Sequence, residues 1–324
     1  MEKLIRIQRL TLFGSVAIML AKAVAYFITS SNAIFSDVLE SGVNVVAGGL
    51  ALYSIILASK PKDENHPYGH GKIQFISASV EGALILVAGI LIIGKAIYQL
   101  LFPQELSNID LGIYLTGGAG LLNFIMAVIL IRQGKQSQSM IMEADGKHLL
   151  SDALSTVGMI IGLTVVALTG LIWIDNLIAL SFGVMISYTG INILKKSIPG
   201  IMDEADNNLL DEIILTLEES RNQAWIDLHN LRVIKYGNVL HLDCHVTLPW
   251  YYTNRQSHVE LEKIEMLIRE KYGTQAEMFI HTDPCSALSC SICQLSECKV
   301  REKEFEKSLE WNASNALKNS QHHL

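Results

Sequence analysis

Residues Met142–Met159 read MEADGKHLLSDALSTVGM, and the fold turns on how His148 and Asp152 sit in that run. The two stand four apart among Leu149, Leu150, Ala153, Leu154, Val157 and Met159. Four residues is about one helical turn, so imidazole and carboxylate leave the same face, one above the other. Ionisable groups inside a membrane-length apolar helix are costly, and by default they mark a pathway or a site. A second apolar run offers the matching half: Glu40 and Asn44, also four apart, between Leu39 and Val46. Two facing helices carrying an imidazole, two carboxylates and an amide make a compact site for a divalent metal. The plainer alternative is a polar clasp between two helices.

The 324 residues are 50% hydrophobic and only 18% charged, with a mean hydropathy of +0.32. That balance fits a membrane bundle with an appended soluble part. Six stretches, near 10–29, 33–59, 75–102, 111–131, 147–169 and 171–194, can cross ~30 Å of hydrocarbon at ~1.5 Å per residue. The net charge of −7 gives no electrostatic case for nucleic acid. Lys60, Lys62 and Lys72 follow the second stretch, Arg132 and Lys135 the fourth, Lys195 and Lys196 the sixth. The connections around 30–32, 103–110 and 170 contain no Lys or Arg. Both termini and the C-terminal part are therefore expected in the cytoplasm, with the spans in the plasma (inner) membrane. Lys3, Arg6, Arg9 and an Ala23-x-Ala25 pair raise a cleaved signal peptide, but Lys22 and the immediate second span argue against it. Lys22 and Lys95 are expected to snorkel toward outer ends, Asp37 to line an outer mouth, and Glu81 to sit at the interface.

The loop after the second span gathers Asp63, His66 and His70, with Gly69 and Gly71 allowing tight turns. Histidine and carboxylate at short spacing suit zinc-like metals, although such clusters are often merely solvated. After Pro199 the hydropathy drops. Helices are expected over 209–219 and 254–272, and strands over 225–233, 239–248 and 276–281, with Tyr236-Gly-Asn238 as a hairpin signal. The order αββαβ implies a small α+β domain with two helices on one face of its sheet. Alternation on the second strand puts His241, Asp243 and His245 on one face and the core residues Leu242, Cys244 and Val246 on the other. The expected divisions are 1–198 (six-helix transmembrane part), 199–284 (αββαβ domain) and 285–324 (Cys-rich extension and polar tail). His322 and His323 are expected in a loose tail.

These residues together resemble the cation diffusion facilitator family of divalent-metal transporters. Four motifs carry the resemblance: the polar pair on the second span, the His66-Pro-Tyr-Gly-His70-Gly-Lys72 loop, the Ala144-Asp-x-x-His148-x-x-x-Asp152 run, and His281-x-Asp-Pro-Cys285. The resemblance implies a homodimer exporting metal from the cytoplasm in exchange for protons, and no enzyme activity. It implies a tetrahedral transport site at Glu40, Asn44, His148 and Asp152, and a loop site at Asp63, His66 and His70. It further implies a metallochaperone-like cytoplasmic domain with a metal cluster at His229, His245, His258, His281 and Asp283. Lys72 and Asp203 resemble an ion pair that ties the dimer together below the membrane. Glu40 and Asn44 depart from the two Asp, or His and Asp, of many zinc-transporting relatives. Zn2+ is the first expectation, with Fe2+, Co2+ or Cd2+ behind it, and His148 argues against an all-oxygen manganese site.

By rise per residue, Glu40 and Asn44 lie about 11 to 17 Å from the outer end of their span, His148 and Asp152 roughly 27 to 33 Å from theirs, a mismatch in depth. A rival reading is a non-transporting, membrane-anchored metal sensor or scaffold; buried polar pairs on both helices count against it. No Gly-x4-Gly-Lys-Ser/Thr loop is present, which disfavours ATP-driven pumping. Cys285-x4-Cys290-x2-Cys293-x4-Cys298 has the spacing of a closed zinc site; its first three thiols also fit an iron–sulfur pattern, and free thiols or a redox switch remain open. Structural disulfides are disfavoured in a reducing cytosol.

Overall fold

The computed structural model describes residues 2–104, 106–136, 140–236, 239–273 and 276–323; for 2–9, 134, 136 and 140–145 it describes the backbone alone. Six long helices come first: α1 Glu2–Thr29, α2 Asn32–Ala58, α3 Ile73–Leu101, α4 Ile109–Gln136, α5 Met140–Thr169 and α6 Trp173–Ile201. All six are long and apolar enough to span a membrane. Bulky side chains such as Phe27 (80% exposed) and Leu168 (82%) point away from the bundle, as lipid contact requires. Inside it, small residues let backbones approach. On α6, a Cβ at Gly190 would stand 2.7 Å from the Leu86 nitrogen and 2.8 Å from the Gly82 oxygen, both on α3. Gly89 and Gly183, one heptad along each helix, repeat the contact: a Cβ at Gly89 would stand 2.9 Å from the Gly183 oxygen.

Polar groups fasten the end of the bundle where the connections are short. Asp175, at the start of α6, accepts from Ser31 Oγ (2.6 Å) and from the backbone of Asn32 (2.7 Å), satisfying donors at the start of α2. Lys22 does not snorkel. It is fully buried, with Nζ 2.7 Å from Asp37 Oδ1 and 2.9 Å from Ser41 Oγ. Asp37 is therefore the buried partner of a cation rather than part of an open mouth. Lys95 is half-buried, its Nζ 3.7 Å from the Phe35 ring centre and 4.2 Å from that of Tyr26.

The second compact unit joins residues 58–72 to 199–324, so the loop expected with the membrane part groups with the C-terminal domain. Its elements are α7 Asn207–Glu219, β1 Asp227–Tyr236, β2 Val239–Leu248, α8 Asn254–Tyr272, β3 Glu277–Pro284 and a short α9 Ala313–Ala316. Asp206 caps α7 by accepting from the Leu209 amide, and Thr253 with Gln256 forms a capping box on α8. Gly237 and Asn238 of the expected hairpin turn lie outside the described residues. The sheet order is β1-β2-β3, antiparallel then parallel. Leu242, Cys244 and Val246 join Ile213, Leu217, Ile264 and Ile268 in one core, which puts both helices on one face. Burial pushes the Cys244 thiol up to about 12, as befits an inert core cysteine. The C-terminal extension is packed rather than loose. Trp311 and Ala316 enter the same core, and Asn230, at a bulge in β1 with φ +52°, donates its amide to the Lys318 carbonyl.

Candidate metal centres

Three of the four candidate transport residues touch, and Glu40 lines the same cavity. Asn44 Nδ2 donates to Asp152 Oδ2 at 3.0 Å, and His148 Nε2 lies 3.9 Å from the same oxygen. Glu40, Asn44, His148 and Asp152 line one cavity of about 200 Å3, walled by Ile85 and Ala88 of α3. The mismatch in depth disappears once the helix ends are seen not to be level. Ile34 of α2 and Leu163 of α5 belong to one core cluster. From Ile34 to Asn44, and from Leu163 to Asp152, the rise is roughly 15 to 17 Å in each case at ~1.5 Å per residue. The last turns of α5 run on past the start of α2.

Asn44 and His148 also line a second cavity of about 210 Å3, which follows α2 through Ala51 to Ile55. This cavity extends toward the end of the bundle where α2 enters the lysine-bearing loop. Glu81, expected at the interface, lines this second cavity. Nothing in its sequence neighbourhood separates the two settings; only packing does.

In the loop, Asp63 Oδ1 is 2.9 Å from His66 Nδ1 and Oδ2 is 3.5 Å from His70 Nε2. One candidate ligand atom from each residue lies within 4.8 Å of the others. Asp63 also accepts from the amides of Asn65 and His66, an Asx turn that fixes the carboxylate. Its bond with the His66 ring holds that carboxyl below the usual carboxylate range. Lys72 and Asp203 pair at 2.7 Å within the chain, with Lys72 Nζ 4.8 Å from the Tyr236 ring centre.

Sheet register builds the third centre. His229 faces His245 across β1 and β2, and His245 faces His281 across β2 and β3, so three imidazoles form a row on the helix-free face. Asp283 joins them: its carboxylate is 3.1 Å from His229 Nε2, 2.9 Å from His245 Nδ1 and 3.4 Å from His281 Nε2. His229, His245 and Asp283 offer atoms within 4.8 Å of one another, a donor set that fits a zinc-like ion. His258 is not brought in; it is exposed on α8 and pairs with Glu262 at 3.4 Å. His241 shares the face but stacks edge-on with Tyr68 and Tyr236 instead.

Asp227 completes the arrangement and gave no signal in the sequence. Buried at 1% exposure, it stands 3.2 Å from His229 Nδ1, leaving Nε2 directed at Asp283. It also accepts from the His322 backbone (2.9 Å) and lies 2.8 Å from His322 Nδ1, so the tail residue is docked. Burial raises its proton affinity, but the bonds from His229 and His322 prevail and hold the carboxyl below its ordinary value.

Residues 9–202 match the cation efflux transmembrane domain, and residues 205–285 match the cation efflux protein cytoplasmic domain. The chain is 34% identical to the uncharacterized transporter sll1263 of Synechocystis sp., over 85% of this chain and 88% of that one. It is 25% identical to a cadmium, cobalt and zinc/H(+)-K(+) antiporter of Bacillus subtilis, over 88% and 91%. It is 24% identical to the cation-efflux pump FieF of Salmonella arizonae, over 85% and 90%. With six membrane-spanning helices, a small cytoplasmic α+β domain and both domain models matched in order, the chain belongs to the cation diffusion facilitator family of cation-efflux transporters.

Proposed function

We propose that this transporter exports Zn2+ from the cytoplasm in exchange for protons, with Glu40, Asn44, His148 and Asp152 as the transport site. The observation that carries the reading is the shared cavity of these four residues, continued by the cavity along α2. Ionised Glu40 and Asp152 bring two negative charges, which one divalent ion or two protons neutralise equally well. Either load leaves the site neutral in a medium where net charge is costly, and that equivalence is what an exchanger needs. Metal binding requires deprotonated ligands, so loading releases protons and protonation after reorientation expels the ion. A mixed nitrogen and oxygen donor set suits zinc, with Fe2+, Co2+ and Cd2+ as competitors.

The same reading orients the protein with both termini in the cytoplasm of a plasma (inner) membrane, from the distribution of Lys and Arg. The chain acts as a homodimer, and Zn2+ at His229, His245 and Asp283, with His281 beside them, draws the cytoplasmic domains together. Asp63, His66 and His70 form a loop site that holds metal near the entry. The test is flux in reconstituted vesicles carrying a proton gradient, offering zinc, iron, cobalt, manganese and cadmium in turn. Wild type should move zinc at the expense of the proton gradient, and His148→Ala or Asp152→Ala should abolish this while leaving an expressed protein. Undiminished pH-driven zinc flux in Asp152→Ala would remove the site assignment. Absence of flux in wild type, with zinc still bound to the soluble domain, would favour the sensor or scaffold reading.

A further inference from the structure

The family match ends on Cys285, and three further cysteines follow within thirteen residues. Cys285, Cys290, Cys293 and Cys298 are free thiols that line one cavity of about 200 Å3 in the second unit. We propose that they form a closed tetrathiolate Zn2+ site that fastens the extension 285–324 to the cytoplasmic domain.

The backbone brings all four sulfurs to the lining of one cavity, where no three of them yet stand within 4.8 Å of one another, so a bound ion would draw them inward. Cys285 continues the sheet by one residue: its amide donates to the Leu248 carbonyl, and its sulfur accepts from the Trp250 amide at 3.4 Å. A 3-10 turn, Ala287–Ser291, carries Cys290 to the rim, and Cys293 follows two residues after that turn, buried at 6% exposure. Arg301 clamps the loop by donating to the carbonyls of Cys290 (2.9 Å), Cys293 (3.0 Å) and Leu295 (2.8 Å). A tetrathiolate zinc centre carries two net negative charges, and the Arg301 guanidinium beside it offsets one of them.

The segment has little regular structure to order it. Between Cys285 and Trp311 the only regular element among the described residues is that one short turn. Its apolar cluster is small: Ile226, Ile292 and Cys293 buried, with Cys285, Leu295 and Leu309 against them. A bound ion would draw four sulfurs to ~2.3 Å from one centre and supply the missing cross-link. On binding, four S–H bonds release their protons to solvent and four Zn–S bonds form, with no change of oxidation state. All four ligands fall within one short segment, which suits a single tetrahedral ion rather than a cluster whose last ligand comes from afar. The staple also bears on the tail. The chain runs from it to Trp311 in the core and on to His322 at Asp227.

The proposal is independent of transport and is tested on the purified full chain. After dialysis against a mild chelator, wild type should retain one zinc that Asp152→Ala and His245→Ala also retain and Cys290→Ser/Cys293→Ser loses. The cysteine variant should be cut faster by protease within 285–324. Should that variant fail to fold, wild type alone decides. Native thiols should resist alkylation until a strong chelator is added, and cobalt-loaded protein should show thiolate-to-cobalt charge-transfer absorption. Four freely alkylated thiols in metal-replete protein, a pair of disulfides, or brown protein with iron and acid-labile sulfide would each overturn the zinc site.

Discussion

Lys22 Nζ stands 2.7 Å from Asp37 Oδ1, and neither side chain is more than 4% exposed. One helical turn beyond Asp37, on the next residue after Glu40, Ser41 takes a second bond from the same ammonium. The pair joins α1 to α2 beside the proposed transport site. Removing one partner of a buried ion pair leaves an uncompensated charge, at a cost of about 3 to 5 kcal/mol. Lys22→Met should therefore lower the thermal midpoint of detergent-solubilised protein sharply. The double variant Lys22→Met/Asp37→Leu should recover much of the loss. Equal destabilisation of single and double variants would mean the pair is not what holds the two helices.

Asn44 donates to Asp152 and contributes no charge. Asn44→Asp adds a carboxylate, a stronger zinc ligand than an amide. Zinc should bind about tenfold tighter by calorimetry, corresponding to ~1.4 kcal/mol. Turnover in vesicles should fall, because a site with three negative charges is no longer neutralised by one divalent ion. Faster zinc flux together with tighter binding would contradict the neutrality argument.

Asp227 orients His229 from behind, and such partners typically change metal affinity by about 10- to 100-fold when altered. Asp227→Asn should weaken zinc binding at the histidine row within that range while leaving the sheet intact by circular dichroism. Unchanged affinity would show that His229 is held by packing alone.

Gly190 and Gly94 make a contrast within one bundle. A Cβ at Gly190 collides with the backbone of α3, whereas a Cβ at Gly94 meets nothing within 4 Å. Gly190→Ala should cost about 1 to 3 kcal/mol through forced separation of α3 and α6. Gly94→Ala should be tolerated, and thermal midpoints of the two variants measured side by side separate the outcomes.

The sequence determined what periodicity and hydropathy can encode. Six membrane-length helices, the αββαβ order, and the pairing of Glu40 with Asn44 and of His148 with Asp152 on their own helix faces are local properties, set by 3.6- and 2-residue repeats. The spacing of the four cysteines is local as well. Relations between segments distant in sequence were decided only by tertiary structure. The rise per residue measures position along one helix but not the offset between two, so the meeting of Asn44 with Asp152 rests on the shared packing of Ile34 and Leu163. The buried state of Lys22 depends on where Asp37 of the next helix falls, which hydropathy does not contain. The histidine row depends on strand register, and within one chain His258 stands apart from it because its helix packs on the opposite face. Asp227 and His322 are nearly a hundred residues apart, and only a folded sheet with a docked tail puts one carboxylate between two imidazoles.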